Sequence, residues 1–400
     1  MKRLKSRWFL LGLLALLLVF ISGGTSSQEN PFDGIVAGFK YSLAKWELGN
    51  LPDKWFYKVE TFFGGGVSED EEMAVLEEYF RLVREIKGLD SQIQRSPDPE
   101  LVEHRDNLER TKDKLEEDVE AIVEDDVTET LSREGFSLTL PLLGGDGHLF
   151  PPVDFELDSP PRILVVSPRD RIELMETRLL KSDITLEDKE ALEKEVEALG
   201  FSGLVEGTGG VATYPSVVQD TTSLRYLLVT VAHEWVHQYL IFHPLGQNYF
   251  DNTDMTTINE TVADIMGKEI GEEIYREFLQ RGWKDSEAGV SRDDADSEFN
   301  REMRQIRLTV DALLAEGKIE EAEGFMEERR LHLMEQGYYI RKLNQAFFAF
   351  NGTYADAPSS VSPIGPQLRN LREESSSLKD FMKKVDGISS YQEFLRTVEG

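Results

Sequence analysis

The chain contains no cysteine among its 400 residues, so it has no disulfide, no cysteine nucleophile and no cysteine metal ligand. Histidine is also scarce, at 6 residues, which makes any close pair of histidines informative. Acidic residues outnumber basic ones, 75 to 44, and the formal net charge is −31. Such a charge repels nucleic-acid phosphates and anionic membrane surfaces, so we expect no nucleic-acid partner.

Long apolar runs are lacking except at the N-terminus. Four basic residues precede an apolar run at 8–21, and small residues follow at 22–27. This is the layout of a secretory signal peptide, although a run extended through Gly24 also suits an uncleaved membrane anchor. We therefore predict that residues 1–24 export the chain, which is then secreted or held outside the cytoplasmic membrane by this segment.

The pattern of the remaining chain predicts an α+β protein that is mostly α-helical. Residues 25–68 are an aromatic-rich connector, and residues 69–135 are charged and helical. A polar interruption at 91–99 predicts that this charged segment folds as a helical hairpin. Residues 136–400 combine strand-like and helical segments, with a flexible insert predicted near 282–297.

The motif His233-Glu234-Trp-Val-His237 is the most informative part of the chain. It lies in the run 224–242, which is apolar almost all round and therefore predicts a buried helix. Histidines four residues apart lie about 40° apart around a helix axis, so both imidazoles share one face. They can form two corners of a tetrahedral zinc site, with Glu234 as general base. The ordinary alternative, two hydrogen-bonded core histidines, leaves Glu234 unexplained.

Such a zinc site needs a third protein ligand and keeps one position for water. One candidate is His243, because the run 233–243 resembles the metzincin signature with Leu240 in place of that family's glycine. In a continuous helix, however, His243 lies about 240° around the axis from the second histidine and faces away. The other candidate is Glu260, which lies on a predicted return helix and shares one face of it with Asp264.

HExxH followed by Asn259-Glu260-x-x-x-Asp264 resembles the gluzincin, or thermolysin-like, zinc metallopeptidases over residues 224–270. The resemblance implies one Zn²⁺ per chain, with Glu234 as the general base. It also implies Asp264 as the hydrogen-bond partner of the first histidine and Asn259 as a supporting hydrogen-bonding residue. The zinc ligands that it implies are His233, His237 and Glu260.

The same resemblance implies a zincin-like catalytic domain with a small sheet at 136–400, acting on a peptide or protein substrate. In enzymes of this group, a strand before the HExxH helix pairs with the substrate backbone. The corresponding segment here runs from Val211 to Val217, and its Pro215 is tolerated at a sheet edge. The sequence specifies neither the substrate, nor cleavage within or at the end of a chain, nor the oligomeric state.

A zinc peptidase also benefits from a side chain that donates to the developing oxyanion. The candidates downstream of the motif are His332, Tyr338, Tyr339 and Tyr354. We favour Tyr354, because it follows an apolar helical stretch and lies beside a loop, where a side chain can face a cleft.

Two other functions remain open at this point. The first is a membrane-tethered scaffold or interaction protein with a structural or vestigial zinc site, in which the helical hairpin is the working part. The second is a metzincin-like protease that uses His243 as its third ligand.

Overall fold

The computed structural model describes residues 30–41, 68–138, 148–284, 292–354, 357 and 360–399, with the backbone alone for 138, 148 and 292–297. The predicted leader at 1–24 and most of the predicted connector lie outside these described residues. Within the described part of the chain, no helix is both long and apolar enough to cross a membrane.

The described residues form mostly helices with small sheets, which confirms the predicted α+β class. The helices are α1 Pro31–Ile35, α2 Glu69–Arg95, α3 Pro99–Arg133, α4 Leu186–Ala198, α5 Leu224–Leu240, α6 Pro244–Gln247, α7 Thr253–Arg281, α8 Arg292–Ala315, α9 Ile319–Glu335, α10 Gln345–Asn351, α11 Ile364–Glu373, α12 Leu378–Val385 and α13 Tyr391–Val398. The strands are β1 Ser137–Leu138, β2 His148–Leu149, β3 Phe155–Leu157, β4 Arg162–Pro168, β5 Glu176–Leu180, β6 Phe201–Gly207, β7 Gly210–Val211 and β8 Ser216–Val218.

Helices α2 and α3 pack against each other as an antiparallel hairpin. The hydroxyl of Ser68 accepts the N–H of Glu71 and caps the start of α2. Because α2 continues to Arg95 and α3 begins at Pro99, the break between the two helices comprises only residues 96–98 and not the predicted 91–99. Both helices contribute to the hydrophobic core around α5 and α7, through Leu76, Tyr79, Phe80, Val83, Val119, Val123, Val127 and Leu131. The hairpin and the HExxH helix therefore fold around one core.

The predicted strand from Val211 to Val217 is wrong, because this segment forms two short strands and a turn. β7 ends at Val211, and β8 begins at Ser216. The chain turns back between them, and Pro215, which has no amide hydrogen for a sheet ladder, lies in the turn. β8 is the middle strand, parallel to β3 and antiparallel to β7. One edge of this sheet is thus the two-residue strand β7.

The opposite edge of the same sheet is covered by the helical hairpin. Glu120 and Glu124 of α3 are buried and accept the backbone N–H groups of Leu157 and Phe155, at 2.7 and 3.1 Å. The two carboxylates take the place of a neighbouring strand's carbonyl groups, which satisfies donors that an edge strand leaves unpaired.

Two glycines let α5 and α7 approach each other closely. A Cβ placed on Gly267 would lie 2.9 Å from the Cβ of His233, and one on Gly271 would lie 2.7 Å from the Cα of Val229. Non-bonded carbon atoms cannot approach so closely, so only glycine fits at these two positions. The Gly-x-x-x-Gly spacing therefore sets the distance between the two helices. The HExxH motif is brought against the Asn259–Asp264 segment by this packing.

Gly271→Ala is expected to lower the free energy of unfolding by about 1–3 kcal/mol, because the added methyl group forces α5 and α7 apart. Gly88→Ala is the matched control. Gly88 lies within α2 with no atom near its missing side chain, so alanine there should stabilise the protein by up to about 1 kcal/mol. Chemical denaturation of the metal-free protein measures both. Equal stability of the two variants would contradict the packing argument.

The predicted flexible insert near 282–297 lies partly outside the described residues, and its described ends belong to the C-terminus of α7 and to α8. Gly282 adopts a left-handed conformation, with φ of 110°, and ends α7. Residues 285–291 lie outside the described residues, and α8 already begins at Arg292.

Candidate metal centre

The candidate centre lies between α5 and α7. The Ser223 side chain accepts the N–H of Tyr226 and begins α5, and the Asn252 side chain accepts the N–H of Met255 and begins α7. A short loop and α6 connect the two helices, which lets them run side by side. From α5 come His233 and His237, and from α7 comes Glu260.

The three side chains point one atom each at a common position. The Nε2 atoms of His233 and His237 are 3.0 Å apart, and the Oε2 atom of Glu260 lies 3.6 and 3.5 Å from them. Ligand atoms about 2.0–2.1 Å from a tetrahedral ion lie roughly 3.3–3.4 Å from one another. The described geometry therefore matches a metal site with two nitrogen ligands and one oxygen ligand.

A hydrogen bond from outside the triad orients the imidazole of His237. The side-chain amide of Asn259 donates to the carbonyl of Leu245 at 3.3 Å, so its Oδ1 faces Nδ1 of His237 at 2.8 Å. Nδ1 must therefore carry a hydrogen, which leaves the lone pair of Nε2 directed at the triad. Asp264 lies with Oδ1 3.7 Å from Nδ1 of His233. The structure thus places Asn259 in hydrogen-bond contact with His237. The Asp264 carboxylate lies beyond hydrogen-bond distance of His233, and its Oδ2 atom accepts Nζ of Lys268 at 2.8 Å.

The surroundings of Glu260 favour a cation at the triad. Its Oε2 atom is buried and accepts no hydrogen bond from a described residue. It faces the Nε2 atoms of His233 and His237. Three acceptors in one buried position are unfavourable unless a proton or a metal ion lies among them. The donor set fits a metal ion, and the centre can hold one.

Protons compete for the same position. Burial opposes charge on His237, but the nearby carboxylate of Glu260 outweighs it and raises the pKa of His237 to about 9. Burial likewise opposes charge on Glu260, yet the neighbouring imidazoles keep the pKa of its carboxyl group below the usual range. A metal ion must therefore displace a proton from His237 at neutral pH.

Metal affinity is expected to fall with falling pH. A group with its pKa near 9 is protonated at pH 7, and each metal ion bound then releases one proton. The dissociation constant should rise about tenfold for each unit of pH lowered between pH 8.5 and 6.5. Competition titrations with a chelator at several pH values measure this slope. A dissociation constant that does not change with pH would contradict proton displacement.

Glu234 lies next to the triad on α5 and is buried. Burial, followed by the charge of Glu260, raises the pKa of its carboxyl group, although the two imidazoles oppose this shift. A Cβ on Gly210, the first residue of β7, would lie 2.5 Å from Oε1 of Glu234. The backbone of the edge strand therefore packs directly against this carboxylate.

His243 does not join the triad. The helix α5 ends at Leu240, and the His243 ring stacks on Tyr239 with ring centroids 4.4 Å apart. Its Nδ1 atom lies 3.4 Å from a carboxylate oxygen of Asp386. His243 is thus held by the C-terminal part of the chain and not by the metal centre.

Tyr354 does reach the centre. It follows α10, and its ring centroid lies 6.4 Å from that of His233. The charge of Glu260 and then burial raise the pKa of the Tyr354 hydroxyl well above its usual value. The other three candidates lie elsewhere: Tyr338 packs on Phe299, Tyr339 is exposed, and His332 contacts Gln336.

Sequence reasoning missed two features of the centre. Tyr249, in the loop between α6 and α7, has its hydroxyl 2.5 Å from Oε1 of Glu260. No periodicity marks a loop residue, so the sequence carried no signal for it. The close packing of Gly267 on His233 did have a signal, the Gly-x-x-x-Gly spacing from 267 to 271.

No protein family, curated protein or solved structure matches this chain. The functional interpretation of the centre therefore depends on its own geometry and chemistry.

Proposed function

We propose that this protein is a zinc-dependent metallopeptidase of the gluzincin type. The observation that carries the proposal is the buried Oε2 atom of Glu260, which faces the Nε2 atoms of His233 and His237 and has no hydrogen-bond partner among the described residues. Glu234 beside this triad supplies the general base that a purely structural site does not need.

The donor set supports zinc as the ion. Two neutral imidazoles and one carboxylate are the ligands of many catalytic zinc sites, and the distances fit a tetrahedral ion. Structural zinc sites are closed by four protein ligands, whereas the group found among the described residues has three. The arrangement therefore supports a catalytic centre over the structural site that a scaffold function requires.

Separate residues of the chain would carry out separate steps of peptide hydrolysis. A bound zinc ion supplies a Lewis acid that polarises the scissile carbonyl and acidifies water. Glu234 accepts the proton of the attacking water and transfers it to the leaving amine, and its raised pKa brings it closer to the working pH. The Tyr354 hydroxyl, which donates to no described residue, is free to donate to the developing oxyanion.

The substrate backbone is proposed to pair with β7. This strand is the edge of its sheet and begins at Gly210, which packs on Glu234. An extended peptide that adds to a sheet edge satisfies the strand's free backbone groups and passes the base. We further propose that residues 1–24 place the enzyme outside the cytoplasmic membrane, so that its substrates are exported peptides or proteins.

Metal analysis and a peptide library test the proposal on the full chain. The purified protein is expected to contain about one zinc ion per chain by elemental mass spectrometry. The zinc-loaded protein should cleave a proteome-derived peptide library, and the cleavage positions will distinguish internal from terminal cleavage. Chelation should stop cleavage, and added zinc should restore it. Zinc-loaded protein that cleaves no peptide would overturn the peptidase proposal.

A further inference from the structure

Tyr249 contacts two members of the triad from the loop before α7. Its hydroxyl donates to Oε1 of Glu260 at 2.5 Å. Its ring stands edge-on to the ring of His237, with centroids 6.2 Å apart and planes at 85°. The Thr256 hydroxyl donates to the Tyr249 carbonyl at 2.7 Å, which ties this loop residue to the first turn of α7.

The two oxygen atoms of Glu260 consequently have separate partners. Oε1 accepts the hydroxyl of Tyr249, while Oε2 faces the two imidazole nitrogens. We propose that Tyr249 is a positioning residue that restricts Glu260 to binding the metal through one oxygen. If Oε1 were free, it could become a fourth protein donor and take the position that water needs.

The inference rests on the proposed function and assigns a different role to each tyrosine at the centre. The Tyr249 hydroxyl donates to Oε1 of Glu260, which is the oxygen of this ligand that faces away from the imidazoles. The Tyr354 hydroxyl has no hydrogen-bond partner among the described residues and is the one available to substrate. Tyr249 therefore holds a ligand in position and does not act on the reacting atoms.

The test compares Tyr249→Phe with Tyr239→Phe, loaded with zinc and with cobalt(II). Phenylalanine retains the ring and removes only the hydroxyl. Tyr239 is the matched control, because it lies on α5 but stacks on His243 away from the triad. Tyr249→Phe is expected to weaken zinc binding about 10–100-fold and to change the cobalt absorption to the weaker bands of a higher coordination number. Tyr239→Phe should match the wild type in both.

X-ray absorption of the zinc-loaded wild type keeps the test independent of variant folding. The inference expects four nitrogen or oxygen neighbours around zinc, and five or more would overturn it. A Tyr249→Phe protein with wild-type zinc affinity and an unchanged cobalt spectrum would overturn it as well, while leaving the peptidase proposal intact. A wild type that binds neither metal would refute both proposals.

Discussion

Glu234→Gln is expected to retain its zinc ion and to lose peptide hydrolysis by about 10²–10⁴-fold. Glutamine keeps the size of the side chain and its place beside Gly210, but it cannot accept the proton of the attacking water. The three residues proposed to hold the ion are unchanged, so metal content should stay at the wild-type level. Initial cleavage rates of one peptide chosen from the library, with elemental analysis of the same samples, measure both quantities.

Glu187→Gln is the matched control for that substitution. It makes the same chemical change at an exposed residue in the first turn of α4, which is not part of the candidate centre. The control should cleave at the wild-type rate. A Glu234→Gln protein that cleaves as fast as this control would exclude Glu234 as the base. A Glu234→Gln protein that has lost its zinc would show that Glu234 holds the ion instead.

Glu260→Gln is expected to weaken zinc binding by more than about 100-fold, whereas His243→Ala should bind zinc like the wild type. The amide keeps the shape of the carboxylate and an oxygen for Tyr249, but it removes the negative charge directed at the two imidazoles. Binding titrations measure the loss directly. A zinc concentration 1,000 times the dissociation constant should stabilise the wild type by about 4 kcal/mol, and most of this gain should be missing in Glu260→Gln.

The same pair of variants separates the two types of zinc peptidase that the motif allowed. Removal of His243 breaks its stacking on Tyr239 and its contact with Asp386, both of which lie away from the triad. If His243→Ala lost its zinc while Glu260→Gln kept it, the gluzincin assignment would be wrong. The metzincin-like alternative would then be favoured.

Much of the candidate centre could be predicted because helices have a fixed period. Residues four apart lie on one face, so the sequence alone paired His233 with His237, and Glu260 with Asp264. The direction of His243 did not follow from this rule, because α5 ends at Leu240 before reaching it. The prediction of Tyr354 depended instead on a helix end that faces a cleft. The structure brings Tyr354 beside His233, although 121 residues separate them in the chain.

Predictions that depended on chain reversal were less successful. The β-prone run 211–217 suggested one strand, yet a strand pattern does not reveal a turn within it, and the segment folds into β7 and β8. The sequence also carried no indication that the helical hairpin covers β3. Glu120 and Glu124 look like ordinary surface acids in the sequence, and only the position of α3 against the sheet makes them backbone acceptors.

The sequence by itself determined which side chains share a helix face, what chemistry they offer, and that no cysteine takes part. Only the tertiary structure decided that Oε2 of Glu260 lies 3.5 Å from Nε2 of His237 and that the Tyr249 hydroxyl donates to the other oxygen of Glu260. It also decided that Gly210 packs on Glu234. The physical reason is that helix periodicity is a local property of the backbone. The distance between two helices instead depends on side-chain volumes at their contact, which Gly267 and Gly271 reduce to the minimum.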